Sequence, residues 1–313
     1  MLLEILFSTI FSIVQLNTEN LFDCHDNPLT QDEEFLPDSY HHWTHYRYWS
    51  KLNHIGQEII ACGTDSSYFK LPDLVALEEV ENDSVLADLT KKSLLRKARY
   101  EYVISNSSDI RGINVALLYS PFTFKLLNSH DVRVCLKPTQ IPTRNILYAS
   151  GLTVTGDTLH VMVVHAPSRA NELSERIAVS QQIVAIADSI KAVSFNPKIL
   201  IAGDFNAYHH EKSLQLLSNN GLINASAHAT GKYGCAKATY RYQGQWGSLD
   251  HIWLNESLAK DLVDCFIYDK DFLLIKDEKY GGYQPRRTYI GPKYQDGFSD
   301  HLPLVARFEW HYH

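Results

Sequence analysis

Lys198-Ile199-Leu200-Ile201-Ala202-Gly203-Asp204-Phe205-Asn206 runs from a short apolar stretch into a glycine, a carboxylate and an amide. Residues 198–202 suit a buried strand. Asp204 and Asn206 are two positions apart, so extended backbone puts both side chains on one side. Gly203 lets the chain turn tightly just before them. Such a segment aims a carboxylate and an amide at a common target.

The same pattern recurs along the chain. An apolar strand over 12–16 ends at Asn17, and one over 73–77 ends at Glu78 and Glu79. The strand over 159–164 ends at His165. Asp250 and His251 lie inside a strand-like run over 249–254, and Asp300 and His301 stand immediately before a last strand over 302–310. A single carboxylate at a strand end is usually a turn cap. A series of them in one chain is different, because charged groups there must be solvated, paired or bound to metal. If they converge on one rim, their mutual repulsion raises their pKa values unless a cation sits among them. Hard oxygen ligands suit Mg²⁺, with Mn²⁺ or Ca²⁺ as alternatives, better than zinc. Asp300 and His301 are neighbours, so in extended backbone they point apart, and Asp250 is placed to orient His301.

Between these strands the spacing predicts helices over 49–62, 84–97, 174–193 and 212–219, and further strands over 114–119 and 146–154. Long helices among many strands fit a layered α/β architecture. No repeat, low-complexity tract or long linker divides the 313 residues, which we read as one domain over 1–313. The segment 270–297, rich in Gly, Tyr, Lys and Arg, reads as a long loop of the kind that is often functional. With 45% apolar and 21% charged residues the composition is that of a globular protein. The five dispersed cysteines form no CxxC pair and read as buried free thiols.

A net charge of −7 disfavours a general duplex-DNA binder, which ordinarily carries a basic surface. Residues 1–14 are apolar but hold Glu4 and no Lys or Arg, unlike the positive start of a secretory signal. No apolar run reaches the ~20 residues of a membrane span. We expect a cytoplasmic monomer, with export left open.

The ordered set Gln15-Leu16-Asn17, Leu77-Glu78-Glu79-Val80-Glu81-Asn82, His165-Ala166-Pro167-Ser168-Arg169, Gly203-Asp204-Phe205-Asn206, Ser248-Leu249-Asp250-His251 and Ser299-Asp300-His301-Leu302-Pro303 resembles the endonuclease/exonuclease/phosphatase superfamily, in its bacterial type, over nearly the whole chain. The resemblance implies a deoxyribonuclease I-like fold: a four-layer α/β/β/α sandwich of two packed mixed β-sheets with helices on the outer faces. It implies a site at one edge of the sandwich. Glu79 is then the principal metal ligand, with Asn17 and Asp300 near the metal. Asp204 orients or deprotonates the attacking water, and Asn206 positions phosphate and nucleophile. His301 contacts the scissile phosphate with Asp250 as its partner, and His165 lies toward the leaving group. Ser168 replaces an Asn common at that place, and Arg144 stands where members often carry an Arg, either bracing the site or meeting a phosphate.

Arg111, Arg169, Arg286 and Arg287 are further candidates for phosphate contact, since a guanidinium fork suits phosphate oxygens. The stretch 40–49, dense in His and aromatics, reads first as core packing at a helix start and second as a stacking surface. Glu78 reads as structural or solvent-facing, and His251 as pointing away from the site. The resulting expectation is a divalent-metal-dependent phosphoesterase acting on phosphodiesters, nucleic acid among them. The alternative is a phosphatase of small phosphorylated molecules or lipid head groups. A non-catalytic binding protein ranks last, because the acidic set has no gap.

Overall fold

The computed structural model describes residues 8–65, 68–136, 140 and 142–311. Twelve strands form the two main sheets. They are β1 (Ser8–Leu21), β2 (Leu74–Val80), β3 (Glu101–Ile104), β4 (Asn114–Tyr119), β5 (Phe124–Val132), β6 (Ile146–Thr153), β7 (Thr158–His165), β8 (Lys198–Asp204), β9 (Ile223–Asn224), β10 (Asp250–Leu254), β11 (Leu262–Ile267) and β12 (Leu304–His311). The first sheet runs β11-β12-β1-β2-β4-β3 and the second β9-β10-β8-β7-β6-β5. Residues 8–14 of the apolar N-terminal stretch are therefore strand, while residues 1–7 lie outside the described residues.

Each sheet has one parallel pair, β1 with β2 and β7 with β8, and otherwise antiparallel neighbours. A parallel pair needs a crossover connection. Helix α1 (His45–Gly63) lies in the first crossover and α2 (Leu173–Val193) in the second. Both crossovers deliver polar residues to the C-terminal ends of central strands: Asn17 and Glu79 in one sheet, His165 and Asp204 in the other.

Side-chain alternation along the strands builds the layers. In β8, Leu200 and Ala202 join the core shared by both sheets, whereas Ile199 and Ile201 face the cluster formed by Ile183 and Ala187 of α2 and Leu214 and Leu217 of α3 (Lys212–Asn219). On the other outer face, Leu52, Ile55 and Ile59 of α1 pack into the core of the first sheet. Fully burying a side chain of this size contributes roughly 1.5–3 kcal/mol. The architecture is thus the expected four-layer sandwich.

The single helix expected over 84–97 breaks into three turns. An α-helical turn over Asp83–Ala87 passes into a π-helical turn over Asp88–Lys92, and a 3₁₀ turn follows over Leu94–Lys97. Ser93 causes the break: its hydroxyl donates to the Leu89 carbonyl at 2.5 Å and accepts from the Leu95 amide at 3.1 Å, so a side chain competes with the helix ladder. The 270–297 loop contains two small hairpins, pairing Leu274–Lys276 with Tyr283–Pro285 and Tyr289–Ile290 with Lys293–Tyr294. The stretch 40–49 is mainly core and cap, as Trp43 is fully buried, its indole donates to the Phe22 carbonyl at 3.0 Å, and Thr44 caps α1. The cysteines are free, but only Cys24 and Cys62 are buried; Cys135 and Cys235 are exposed, contrary to expectation.

Helix α1 also buries Glu58 completely, and neither of its carboxyl oxygens has a hydrogen-bond partner among the described residues. Burial pushes this carboxyl up to about 8, against a smaller opposing pull from Lys51. The folded pKa lies above the unfolded one, so folding takes up a proton and stability falls as pH rises from about 4.5 to 8. We expect Glu58→Gln to raise the melting temperature by several degrees at pH 8 and to leave it nearly unchanged at pH 4.5, measured by thermal denaturation at both values.

Candidate active site

The site begins where β1 and β2 lose register. Their pairing runs regularly to Asn17 opposite Glu78 and resumes at Leu21 opposite Val80. The intervening irregularity leaves Glu79 at φ +60°, and Glu19 and Asn20 at φ +51° and +59°. Bulges re-aim side chains, and left-handed backbone at non-glycine residues concentrates at functional sites. Glu78 consequently turns inward and is fully buried, while Glu79 lines the cleft. Glu79 is held by the Asn20 amide at 3.0 Å and by Arg111 at 3.6 Å.

In the second sheet, Gly203 lies opposite Val164 and Asp204 opposite His165. A Cβ at position 203 would collide with the Val164 carbonyl, so only glycine allows this approach. Asp204 is buried, accepts the Asn17 side-chain amide at 3.2 Å and the Asn206 backbone amide at 2.8 Å, and lies 3.7 Å from His165 Nε2. His165 Nε2 is also 3.9 Å from Glu79. Asn206, at φ +49°, donates its side-chain amide to the Ala166 carbonyl at 3.1 Å.

His301 and Asp250 complete the arrangement. The imidazole Nδ1 bonds Asp250 Oδ2 at 2.7 Å. Thr239 donates to the same oxygen at 2.5 Å, and Gln15 donates to Asp250 Oδ1 at 2.8 Å and to Glu78 at 2.8 Å. Ser299 anchors the segment by donating to the Asn17 carbonyl at 2.6 Å while its hydroxyl accepts the His301 amide at 3.1 Å. Tyr240 packs on the His301 ring with centroids 4.8 Å apart.

The electrostatics follow from burial and neighbours. Burial, then Asp250, pushes the Asp204 carboxyl up to about 7, despite His301 and the Asn206 amide. Burial disfavours charge on His301, but Asp250, then Asp300 and Asp204, lift it well above the ordinary histidine range. Burial likewise opposes charge on Asp250, and His301 outweighs it to hold Asp250 low. The pair is therefore imidazolium and carboxylate. Burial, with Arg144 and Arg111 adding to it, holds His165 well below its usual range, hence neutral. Burial and the nearby Asp250 raise Glu78 well above the carboxylate range.

Asn17, Glu79, His165, Asp204, Asn206, Asp300 and His301 open on one cleft of about 750 Å³ at the edge of the sandwich, which also reaches Arg169, Tyr208, Tyr242 and Arg287, while Asp250 and Glu78 lie buried behind it. Asp204, Asp250 and His301 bring ligand-type atoms within 4.8 Å of one another. Asp250 already accepts from Gln15 and Thr239 and pairs with His301, which favours proton handling over chelation by that trio. Glu79 and Asp300 also line the cleft, and the Asn17 side-chain oxygen accepts the Glu19 amide at 2.9 Å.

The family model described as the Endonuclease/Exonuclease/phosphatase family matches residues 12–309. The chain belongs to this family. An endonuclease/exonuclease/phosphatase family protein from Bacteroides thetaiotaomicron superposes with a TM-score of 0.63 at 13% identity, covering 97% of this chain and 99% of that one. A mannosyl-6-phosphatase from the same organism gives 0.63 at 14%, covering 95% and 98%. A truncated Caenorhabditis elegans TDP2 gives 0.59 at 16%, covering 96% and 97%. No curated protein matches the sequence. Family members are phosphoesterases, and these likenesses carry the fold.

Within this family protein, the structure brings together Asn17, Glu79, His165, Asp204, Asn206, Asp250, Asp300 and His301. Three candidate substrate contacts prove to be engaged already. Arg144 is buried, pairs with Asp109 at 2.8 Å, and bonds the carbonyls of His165 at 3.2 Å and Ala166 at 2.7 Å. These bonds brace the His165 strand end, and Arg144 also lines the cleft. Ser168 bonds Asn171 at 3.0 Å, and Arg169 pairs with Glu211 and stacks on Tyr208 at 4.2 Å. Gln15, Thr239 and Ser299 received no role from sequence. Gln15 could have been found, because it alternates with Asn17 on one strand face. His251 bonds the Ala207 carbonyl at 2.9 Å, away from the cleft. Among the described residues, no helix is long and apolar enough to cross a membrane.

Proposed function

We propose that this protein hydrolyses phosphodiester bonds with the help of a divalent cation. One observation carries the proposal: the buried Asp204 carboxyl, the His165 imidazole 3.7 Å from it and the His301 ring, held from behind by Asp250 at 2.7 Å, meet in a single cleft. Hydrolysis of a phosphate ester requires these functions: a base for water, stabilisation of charge on the phosphorus oxygens, and control of the leaving oxygen.

Asp204 is the base. Asn17 and the Asn206 amide fix its two oxygens, so the carboxylate keeps one orientation toward the attacking water. Asn206 sits beside it as the residue that positions nucleophile and phosphate. Asp250 holds the His301 Nδ1 proton, leaving Nε2–H as a cationic donor to a non-bridging phosphate oxygen. His165, neutral, faces the leaving-group side. Glu79 and Asp300, with Asn17 beside them, would hold Mg²⁺ (or Mn²⁺ or Ca²⁺), which supplies charge stabilisation at the phosphate when bound.

The test is a hydrolysis panel with each cation and with EDTA, covering plasmid DNA, single-stranded DNA, RNA, a generic diester and a generic monoester. We expect cleavage of at least one diester substrate with Mg²⁺ or Mn²⁺ and loss of more than 95% of it in EDTA, on the order of what removing a principal electrostatic element does. Turnover untouched by EDTA would sink the metal claim. Hydrolysis of the monoester alone would replace this reading with the small-molecule phosphatase.

A further inference from the structure

The adjacent arginines 286 and 287 are equivalent in the sequence but not in the fold. Arg286 lies 5.8 Å over the Phe298 ring and does not line the cleft. Arg287 does line it, with its side chain 35% exposed. Its Nε donates to Glu19 Oε1 at 3.2 Å and its Nη2 to Asp300 Oδ2 at 3.0 Å. Its Nη1 has no protein partner among the described residues. A guanidinium has five N–H donors, so most of this one's capacity stays free in the cleft.

What lies behind Arg287 is a built support. Glu19 is buried, and its second oxygen accepts the Thr288 amide at 2.6 Å and lies 3.9 Å from Lys51 Nζ. Lys51, itself buried on α1, donates to Thr288 Oγ1 at 2.7 Å and to the Phe298 carbonyl. Charges therefore alternate from core to cleft: Lys51, Glu19, Arg287, Asp300. On the other side of the loop, the Phe298 amide donates to the Arg286 carbonyl at 2.6 Å, and Gly297 packs so closely that a Cβ would strike the carbonyls of residues 286 and 287. An exposed Arg–Asp pair alone is worth little. Burying Glu19 and Lys51 beneath it costs desolvation, which the hydrogen bonds to Thr288, Phe298 and Arg287 offset. The arrangement fixes the guanidinium in one place within the cleft.

We propose that Arg287 is a substrate contact that grips a non-bridging oxygen of the phosphate, with Glu19 as its positioning residue. The proposal rests on the phosphoester reading of the same cleft and adds a specificity element supplied by the 270–297 loop. A planar fork matches phosphate oxygens better than an ammonium does. Asp300 gives Arg287 only one of its two oxygens, so the contact does not exhaust Asp300.

The test measures binding of inorganic phosphate in the presence of Mg²⁺ by calorimetry, alongside kcat and KM on whichever ester the hydrolysis panel selects. Arg287→Ala should weaken phosphate binding by roughly 10–100-fold, as expected for one charge-assisted hydrogen bond, and should raise KM more than it lowers kcat. Arg287→Lys, which keeps charge beside Glu19, should fall between wild type and Ala with an unchanged circular dichroism spectrum. This variant decides the matter if Arg287→Ala does not fold. Glu19→Gln should weaken phosphate binding less than Arg287→Ala, and Arg286→Ala should leave it unchanged. Wild-type phosphate affinity in Arg287→Ala, an equal loss in Arg286→Ala, or no phosphate binding by the wild type would each overturn the proposal. If the wild type binds phosphate through Arg287 but hydrolyses nothing, the hydrolase reading fails and this one stands. If it hydrolyses diesters with KM indifferent to Arg287, the reverse holds.

Discussion

Asp204→Asn is expected to lower kcat by about 10²–10⁴-fold, the range for losing a positioned acid–base group, while the melting temperature changes by no more than a few degrees. The substitution keeps the shape of the side chain and an oxygen for the Asn206 amide, which lies at 2.8 Å from Asp204 Oδ1. It removes the ability to take a proton from water. It also relieves a buried carboxyl that burial and Asp250 push up to about 7, so the folded state loses an unfavourable charge. The pH profile gives an independent reading. A base acts when deprotonated, so the wild-type rate must rise with pH through the Asp204 pKa. That pKa is about 7 as the chain stands. A divalent cation next to Glu79 would lower it, so the rising limb should move to lower pH as the cation concentration increases. In Asp204→Asn the limb should vanish with the activity. Retention of a tenth or more of wild-type turnover would remove Asp204 from the role of base.

How much of this was legible in the sequence depended on burial. The central strands β1, β2, β4, β6, β7, β8, β10 and β12 are apolar along most of their length and were found where the sequence put them, although β1 runs past Asn17 to Leu21, β2 past Glu79 to Val80 and β8 through Asp204. The strands that escaped notice, β3, β5, β9 and β11, are the four sheet edges. An edge strand is half-exposed and mixed in polarity, so its period-2 signal is weak. Helix 84–97 failed for a different reason, since its spacing was helical and one serine hydroxyl diverted the backbone. In the site, residues at strand ends were legible because a charge after an apolar run is conspicuous. Gln15 and Glu19 were not, since each acts by touching a residue distant in sequence: Gln15 meets Asp250 across 235 positions and Glu19 meets Arg287 across 268. The packing of the two sheets makes the first distance short, and the fold of the 270–297 loop onto the first sheet makes the second short.

The second large effect concerns His301 and Asp250, which should act as one unit. His301→Ala is expected to lower kcat by about 10²–10³-fold, the usual loss when a donor to the developing anion is removed. Asp250→Asn leaves the ring present but takes away the carboxylate 2.7 Å from Nδ1. Burial would then act on His301 without its chief compensation, and the pKa should fall from well above the histidine range toward or below the ordinary value of about 6.5. His301 donates only when protonated, so activity is lost as pH rises through its pKa. In the wild type that falling limb lies far above neutrality, and in Asp250→Asn it should drop to near neutral pH. The ratio of the Asp250→Asn rate to the wild-type rate should therefore rise as pH falls toward about 5.5, where protonation of Asp204 lowers both rates. Stability carries the same sign. A histidine whose folded pKa is raised stabilises the fold fully below about pH 6.5 and loses that contribution as pH rises through the folded value. Asp250→Asn should thus narrow the gap between melting temperatures at pH 6 and at alkaline pH. The double variant should be no slower than His301→Ala, because residues that work as a pair are not additive. A double variant slower than both singles by the product of their effects, or an alkaline limb unmoved in Asp250→Asn, would mean that Asp250 serves the cleft in some way other than holding the His301 proton.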